Sequence, residues 1–126
     1  MSFAAERQSI EERLFDNWAT TPIAFDNVDF DPPNASPWIK LNILNGSGAF
    51  TTMNNGKRYT GVIIIQVFGP KNEGTATMRT YADTLGALFT GIKFDDVDCD
   101  VASLSTIGTN KNWHQVNVTI PYFRNE

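Results

Sequence analysis

Few residues of this chain combine a reactive side chain with the spacing that catalysis requires. The single histidine, His114, stands beside Trp113 at the start of an alternating apolar segment. General-base catalysis needs a partner positioned against the histidine, and no spacing in the chain implies one. The Gly46-Ser47-Gly48 segment lacks the G-x-S-x-G pattern of a nucleophile elbow, and no phosphate-loop, dinucleotide or zinc spacing is present. The sequence therefore predicts no catalytic residue and no cofactor, and His114 is interpreted as a surface or hydrogen-bonded residue.

Three aspartates invite a calcium interpretation. Asp96, Asp98 and Asp100 alternate along the chain, as the first ligands of an EF-hand loop do. Such a loop needs Gly at its sixth position and Glu at its twelfth, whereas this chain has Val101 and Ile107 there. We therefore predict no metal site and interpret the aspartates as the solvated face of a strand, although the sequence does not decide whether they bind a cation.

Aromatic residues accumulate near predicted strand ends and in loops. They could form a stacking site for a ligand, or they could cap the core and become buried at subunit contacts. The second interpretation is favoured because protein interfaces are enriched in aromatic residues and because no polar groups that would orient a ligand are evident. The residues are Phe30, Trp38, Phe50, Tyr59, Trp113 and Phe123.

Length and charge restrict the classes of function. The 126 residues suit one domain, 1–126, that buries a core without staples, and the net charge of −4 disfavours binding driven by nucleic-acid phosphates. Cys99 is the single cysteine, so no internal disulfide forms, and it is interpreted as a small buried hydrophobic residue. No signal peptide and no apolar run of membrane-spanning length is visible, which predicts a soluble protein of a reducing compartment.

The apolar pattern predicts two helices. Residues 3–18 carry Phe3, Ile10, Leu14 and Trp18 on one face, and Ser2 can cap that helix. A second helix has the same spacing from Met78 to Phe89, and Gly91 provides the residue that follows its end.

The same pattern predicts about five strands. A short strand is expected at 23–25, and longer strands are expected at 38–44, 97–101 and 116–122. The segment 62–68 is apolar at odd and at even positions, so it is expected in the middle of the sheet, with a helix on one side and other material on the opposite side. Gly69-Pro70 is expected to end it. The predicted fold is α+β, a mainly antiparallel sheet of about five strands with two helices packed on it.

Residues 45–57 are predicted to form a long loop of a β-hairpin between strands 38–44 and 58–68. The loop contains Gly46, Gly48 and Asn54-Asn55-Gly56, residue types that tolerate turns. Phe50 and Met53 lie in it without an evident core to join. Hairpin loops usually hold two to five residues, and one this long is more often functional or disordered, so residues 45–58 are a candidate contact segment.

The order of several segments resembles the small tail terminator-like proteins of long-tailed bacteriophages and prophages. The first helix ends in Phe15-Asp16-Asn17-Trp18, and Thr21-Pro22-Ile23-Ala24-Phe25-Asp26-Asn27 and Pro37-Trp38-Ile39 follow it. A strand from Arg58 through Gly61 to Val67-Phe68 and the helix containing Ala82-Asp83 complete the likeness, which covers about residues 8–90. These motifs are mostly structural, and their order carries the resemblance.

The resemblance implies a structural protein of the virion and no enzyme. Tail terminators form a ring, typically a hexamer, at the head-proximal end of the tail tube, where they stop polymerisation and present a surface for the head. The expected partners are other copies of the chain, the tail tube protein and a head–tail connector protein, while DNA passes through without specific binding and no membrane is involved. The expected location is the bacterial host cytoplasm during assembly and the virion tail afterwards. The candidate interface residues are Phe50, Met53, Lys57, Arg58, Phe30 and Trp113.

Two alternatives remain open from the sequence. One is another head–tail connector or minor tail component that has the same fold. The other is a small ligand-binding domain or enzyme that uses the aromatic cluster and His114.

Overall fold

The computed structural model describes residues 2–25, 28–31, 36–50, 56–70, 76–109 and 113–125. They form two helices and seven strands in chain order. These are α1 (Phe3–Asn17), β1 (Ile23–Phe25), β2 (Trp38–Phe50), β3 (Lys57–Pro70), α2 (Ala76–Phe89), β4 (Lys93–Phe94), β5 (Val97–Cys99), β6 (Ser103–Thr109) and β7 (Trp113–Asn125).

Helix α1 begins and ends where the sequence predicts. The backbone N–H of Ala5 donates to Ser2 Oγ at 3.1 Å, which is the expected cap, and Trp18 follows the last helical residue with an extended backbone. Trp18 then donates its indole N–H to Thr21 Oγ1 at 2.9 Å, so its one polar group is satisfied while its ring is buried. Ile10 and Leu14 are fully buried, so α1 packs into the core through most of its predicted apolar face, whereas Phe3 on that face is 53% exposed.

The sheet is built around β3. Its strands follow the order β1-β2-β3-β7-β5-β4, and β6 pairs with another part of β7. The β1–β2 pair is parallel, whereas every other described pair is antiparallel. The central place of β3 follows from its apolar sequence. Ile63, Ile65 and Val67 are fully buried in the core, and Val62, Ile64 and Phe68 are half-buried on the other face.

The predicted fold class was wrong in its strand count and architecture. The chain forms a curled half-barrel of seven strands, and just over half of the described residues lie in strands. The prediction missed β4, which has two residues, and β6, whose sequence is Ser-Leu-Ser-Thr-Ile-Gly-Thr. An exposed strand does not bury alternate residues, so β6 has no apolar alternation that a sequence pattern could detect.

The predicted loop at 45–57 was also wrong at both ends. Residues Asn45–Phe50 continue β2 and pair with β3 from Gly61 to Lys57, with a bulge between Asn45 and Gly48. Gly48 serves this pairing, because a Cβ there would lie 2.8 Å from the Tyr59 ring. The strand also continues past the predicted stop, since Pro70 pairs with Trp113. Residues 51–55, with Met53 among them, lie outside the described residues.

Pro121 lies inside the sheet, and its position explains how the sheet accepts it. Its carbonyl accepts a hydrogen bond from the Asp100 N–H at 2.8 Å, so the backbone groups of Pro121 face β5 and β6. Strand β5 ends opposite Tyr122 with Cys99, and β6 begins opposite Thr119 with Ser103. Residue 121 therefore lies opposite the gap between β5 and β6. An N–H at this position would have had no ladder partner, so the sheet loses no hydrogen bond to the proline.

A buried ion pair joins the two ends of the chain. Arg124 Nε donates to Glu6 Oε1 at 2.8 Å, across 118 residues of sequence. The two side chains are only 1% and 3% exposed, and the Arg124 guanidinium lies 5.0 Å from the Phe3 ring centre and 4.4 Å from that of Tyr59. Because both charges have left water, their mutual attraction offsets part of the free energy that their burial costs.

We predict that Glu6→Ala destabilises the fold by about 3–5 kcal/mol, since it removes a buried carboxylate that compensates the buried Arg124 charge. Glu11→Ala is the matched control on the same helix, because it breaks the Arg7–Glu11 pair, in which Arg7 is 62% exposed. Its expected cost is below about 1 kcal/mol. Denaturant unfolding followed by circular dichroism measures both. Equal losses in the two variants would contradict the assignment.

Candidate assembly surfaces

The first candidate surface is the hairpin tip, defined as Gly48–Phe50 of β2 and Lys57–Tyr59 of β3. Phe50 pairs with Lys57 and is 70% exposed, the highest value among the exposed large apolar side chains described. Gly48, Ala49, Phe50, Lys57 and Tyr59 line a shallow depression of about 260 Å³ beside it. A single exposed phenylalanine beside an apolar depression at a strand end is suited to contact with another protein.

Arg58 belongs to the hairpin tip but is held by its own chain. Its Nε donates to Asn125 Oδ1 at 2.9 Å, and its guanidinium lies 4.4 Å from the centre of the Phe123 ring. These contacts connect the end of β7 to the start of β3. Arg58 therefore supports the base of the hairpin tip, while Phe50 and Lys57 project from it.

The second candidate surface is the aromatic cluster of Phe30, Trp38, Phe68 and Trp113. Trp38 and Phe68 stack with ring centres 4.1 Å apart and an interplanar angle of 11°. Trp113 meets Trp38 edge-on at 5.9 Å, and Phe30 lies 5.1 Å from it. Trp38 is thus in contact with all three of the other rings. This arrangement fits a packed cluster better than an open site for a flat ligand.

The predicted interface residues therefore separate into two groups. Trp38 is the first residue of β2 and Phe50 is the last, so about 40 Å of strand separates the aromatic cluster from the hairpin tip. Phe30 and Trp113 belong to the aromatic cluster, whereas Phe50, Lys57 and Arg58 belong to the hairpin tip. Sequence reasoning missed Phe68, because it lies in the apolar run that was interpreted as central strand.

The residues considered for chemistry do not form an active centre. His114 Nδ1 lies 3.1 Å from Thr109 Oγ1, a hydroxyl contact across β6 and β7. Asp98 pairs with Lys93 in the β4–β5 ladder, and Asp100 Oδ1 accepts from the N–H of Val101. Within the described part of the chain, no three His, Cys, Asp or Glu side chains are close enough to hold a metal ion.

A groove between α1 and β2 was not foreseen from the sequence. It has a volume of about 480 Å³ and is lined by Phe3, Glu6, Arg7, Glu11, Val28, Leu41, Ile43 and Asn45. The buried Tyr122 hydroxyl lies 3.5 Å from Asn45 Oδ1. Burial raises the pKa of Tyr122 above its ordinary range, and the neighbouring Glu6 carboxylate raises it further, so the phenol stays neutral. No sequence pattern relates residue 6 to residue 122, so this site becomes visible only in the fold.

Comparison with known proteins agrees with this geometry. A sequence model of the family described as phage tail terminator protein matches residues 7–122. The chain belongs to the phage tail terminator family, as its resemblance to such proteins predicted. A search of curated proteins gave no match. One similar solved structure superposes with a TM-score of 0.75 at 24% identity, covering 98% of this chain and 96% of that chain, which supports the fold alone.

Membership defines the general role. The family is structural, and the protein is a phage tail component that acts in tail assembly. In the described residues, no helix has the length and apolar character needed to cross a membrane.

Cys99 gives a pH-dependent prediction for the core beneath these surfaces. Burial raises the pKa of the Cys99 thiol from 9.0 to about 11, so the folded state binds the thiol proton more tightly than the unfolded state does. The stability associated with this group is therefore complete below pH 9 and is lost as the pH rises toward 11. We expect the free energy of unfolding to fall across that interval and to fall less steeply in Cys99→Ala. Parallel slopes in denaturant titrations of the two proteins would disprove the assignment.

Proposed function

We propose that this protein terminates the tail tube. It forms a ring, with six copies as the expected number, on the head-proximal end of the tube, stops further polymerisation and offers a surface for head joining. The observation that carries the proposal is the family match over residues 7–122. The proposed partners are further copies of the chain, the tail tube protein and a head–tail connector protein.

The two candidate surfaces support a role between two partners. A terminator must contact the tube below it and the head-side proteins above it. The hairpin tip and the aromatic cluster lie at opposite ends of β2, so one subunit can present different surfaces in two directions. We assign the hairpin tip to the tube for two reasons. Phe50 is largely exposed, and among the described strands Gly48–Phe50 of β2 pair with β3 alone.

The charge of the chain fits passage of DNA without retention. Binding to the phosphate backbone relies on lysine and arginine that displace counterions. The chain has 10 such residues against 14 acidic ones. In addition, Arg124 is held by Glu6 and Arg58 by Asn125. We therefore propose that DNA passes the ring without specific binding, and that the ring assembles in the host cytoplasm before it becomes part of the virion tail.

The hairpin tip gives the functional test. We expect Phe50→Ser to leave the fold intact and to abolish tail termination, because it removes the most exposed apolar side chain of the tip. Phe15→Ser is the matched control, since Phe15 is 66% exposed on α1, away from the tip, and its loss should leave tails normal. The measurement is tail length by electron microscopy after complementation of a phage that lacks the gene.

The outcomes distinguish the two structural roles. Overlong or unfinished tubes with Phe50→Ser support termination at the tube end. Tails of normal length that lack heads indicate a connector role, and normal virions refute the assignment of the hairpin tip.

A further inference from the structure

Besides the short terminal strands β1 and β4, two longer strand edges in the described residues have a partner on one side only. Strand β1 pairs with Ile39–Leu41 of β2, so β2 beyond Leu41 pairs with β3 alone. Strand β6 pairs with β7 and has no second partner among the described strands. Unpaired edges carry rows of free N–H and C=O groups, which act as templates for another strand.

The backbone groups that face outward on β2 can be assigned from one hydrogen bond. The N–H of Ile39 donates to the Pro22 carbonyl at 3.1 Å, so the groups of Ile39 point toward β1 and away from β3. Successive residues of a strand point to opposite neighbours. Ile43 and Asn45 therefore present their N–H and C=O groups to the open edge, in the register before the bulge.

A second hydrogen bond assigns the groups of β6. Because the Pro121 carbonyl accepts from Asp100, odd residues of β7 face β5 and β6. Ser103 and Ser105 lie opposite Thr119 and Asn117, so their backbone N–H and C=O groups point toward β7 and pair with those of Thr119 and Asn117. Leu104 and Thr106 consequently point their N–H and C=O groups outward from the sheet.

The side chains of the two edges lie on the same face of the sheet. Leu104 pairs with buried Val118, and Ile43 pairs with buried Ile63, so both are on the core face. Ile43 lines the groove between α1 and β2 together with Phe3 and Leu41. Leu104 is 39% exposed and lacks full apolar cover in the single chain. A strand that pairs with Ile43 and places a leucine on this face would put that leucine in the groove.

We propose that β6 of one copy pairs antiparallel with the open edge of β2 of the next copy, and that Leu104 enters the groove beside Ile43. The occupant is a second copy because each chain carries both edges, at opposite ends of one sheet, which makes the contact head-to-tail and allows a ring to close. The antiparallel direction follows from the alternation of β2, β3, β7 and β6. Strand β6 carries no charge and no proline, the usual residues that protect an edge.

The open edges of β2 and β6 are offset from each other along the strand direction, and a ring of such subunits must accommodate this offset. Thr106 is level with Ile39 through its partners Val116 and Val67. The open edge of β2 begins beyond Leu41, so each junction requires a stagger of a few residues. Tilted strands need such a stagger when a sheet closes into a barrel. The inference thus specifies the contact of the ring proposed above and depends on that ring.

Proline variants test the edges without removing core side chains. Thr106→Pro removes an outward N–H of β6, and Thr106→Val is its control because it keeps that N–H. Asn45→Pro and Asn45→Ala form the corresponding pair on β2. We expect both proline variants to be monomeric by light scattering while the two controls oligomerise like the unchanged protein, all at the highest concentration reached in solution.

Mixing the two proline variants gives the decisive result. Each retains one intact edge, so a head-to-tail junction predicts dimers in the mixture and monomers in each variant alone. Dimers of Asn45→Pro by itself would indicate pairing of β6 with β6 and would overturn the proposal. An unchanged protein that stays monomeric at every concentration also overturns the proposed junction. If that same protein gives normal tails in complementation, the proposed termination role still stands.

Amide hydrogen exchange provides a readout that does not depend on variants. On assembly, the N–H groups of Ile43, Asn45, Leu104 and Thr106 should gain protection, whereas those of Leu44 and Ser105 are already paired within the chain. Protection that rises equally at both sets would contradict the assigned edges.

Discussion

The buried pair of Glu6 and Arg124 is the interaction on which the arrangement of this protein depends. It holds the first turn of α1 against the end of strand β7, and it does so where neither charge meets water. Such a pair contributes less net stability than its geometry suggests, but removing one of its two charges is strongly destabilising. The pair therefore selects one position for α1 over the sheet, and with it the groove between α1 and β2.

Neighbouring residues extend this constraint. Tyr122 lies beside Glu6 and stays neutral, and Gly61 gives it room, because a Cβ at position 61 would lie 2.5 Å from its hydroxyl. Tyr59 is the last residue of the hairpin tip on β3, and its ring lies 4.4 Å from the Arg124 guanidinium. The hairpin tip thus rises from a rigid base. A surface that must meet a large partner loses less conformational entropy when its base is ordered beforehand.

The same fold leaves backbone hydrogen-bonding capacity at its edges. A half-barrel does not close on itself, so its first and last strands keep unsatisfied groups, unlike those of a full barrel. In a tail protein this openness is consistent with assembly, because several copies can complete what one copy leaves open. The exposed apolar residues at the hairpin tip and on β6 lie on the parts of the sheet that extend beyond the packed core.

Local patterns in the sequence carried much of the fold. The cap at Ser2, most of the apolar face of α1, the central place of β3 and the position of Gly91 after α2 were all predicted, because each depends on residues close in the chain or on simple periodicity. The order of motifs also placed the chain in its family. The extended hairpin was missed because Gly46 and Gly48 have the composition of a turn, whereas here they give room to Thr60 and Tyr59 across the pair.

The sequence by itself determined the helices, the buried strands, the absence of a disulfide and the family. Only the tertiary structure decided which residues meet across long distances: Glu6 with Arg124, Phe30 with Trp38, and Phe50 at the end of β2 opposite the aromatic cluster. It also decided which strand edges stay open, since β6 has no periodicity of its own and is defined by pairing with β7. The physical reason is that periodicity reports burial along one element, whereas pairing, register and edge exposure arise between elements that the chain brings together only when it folds.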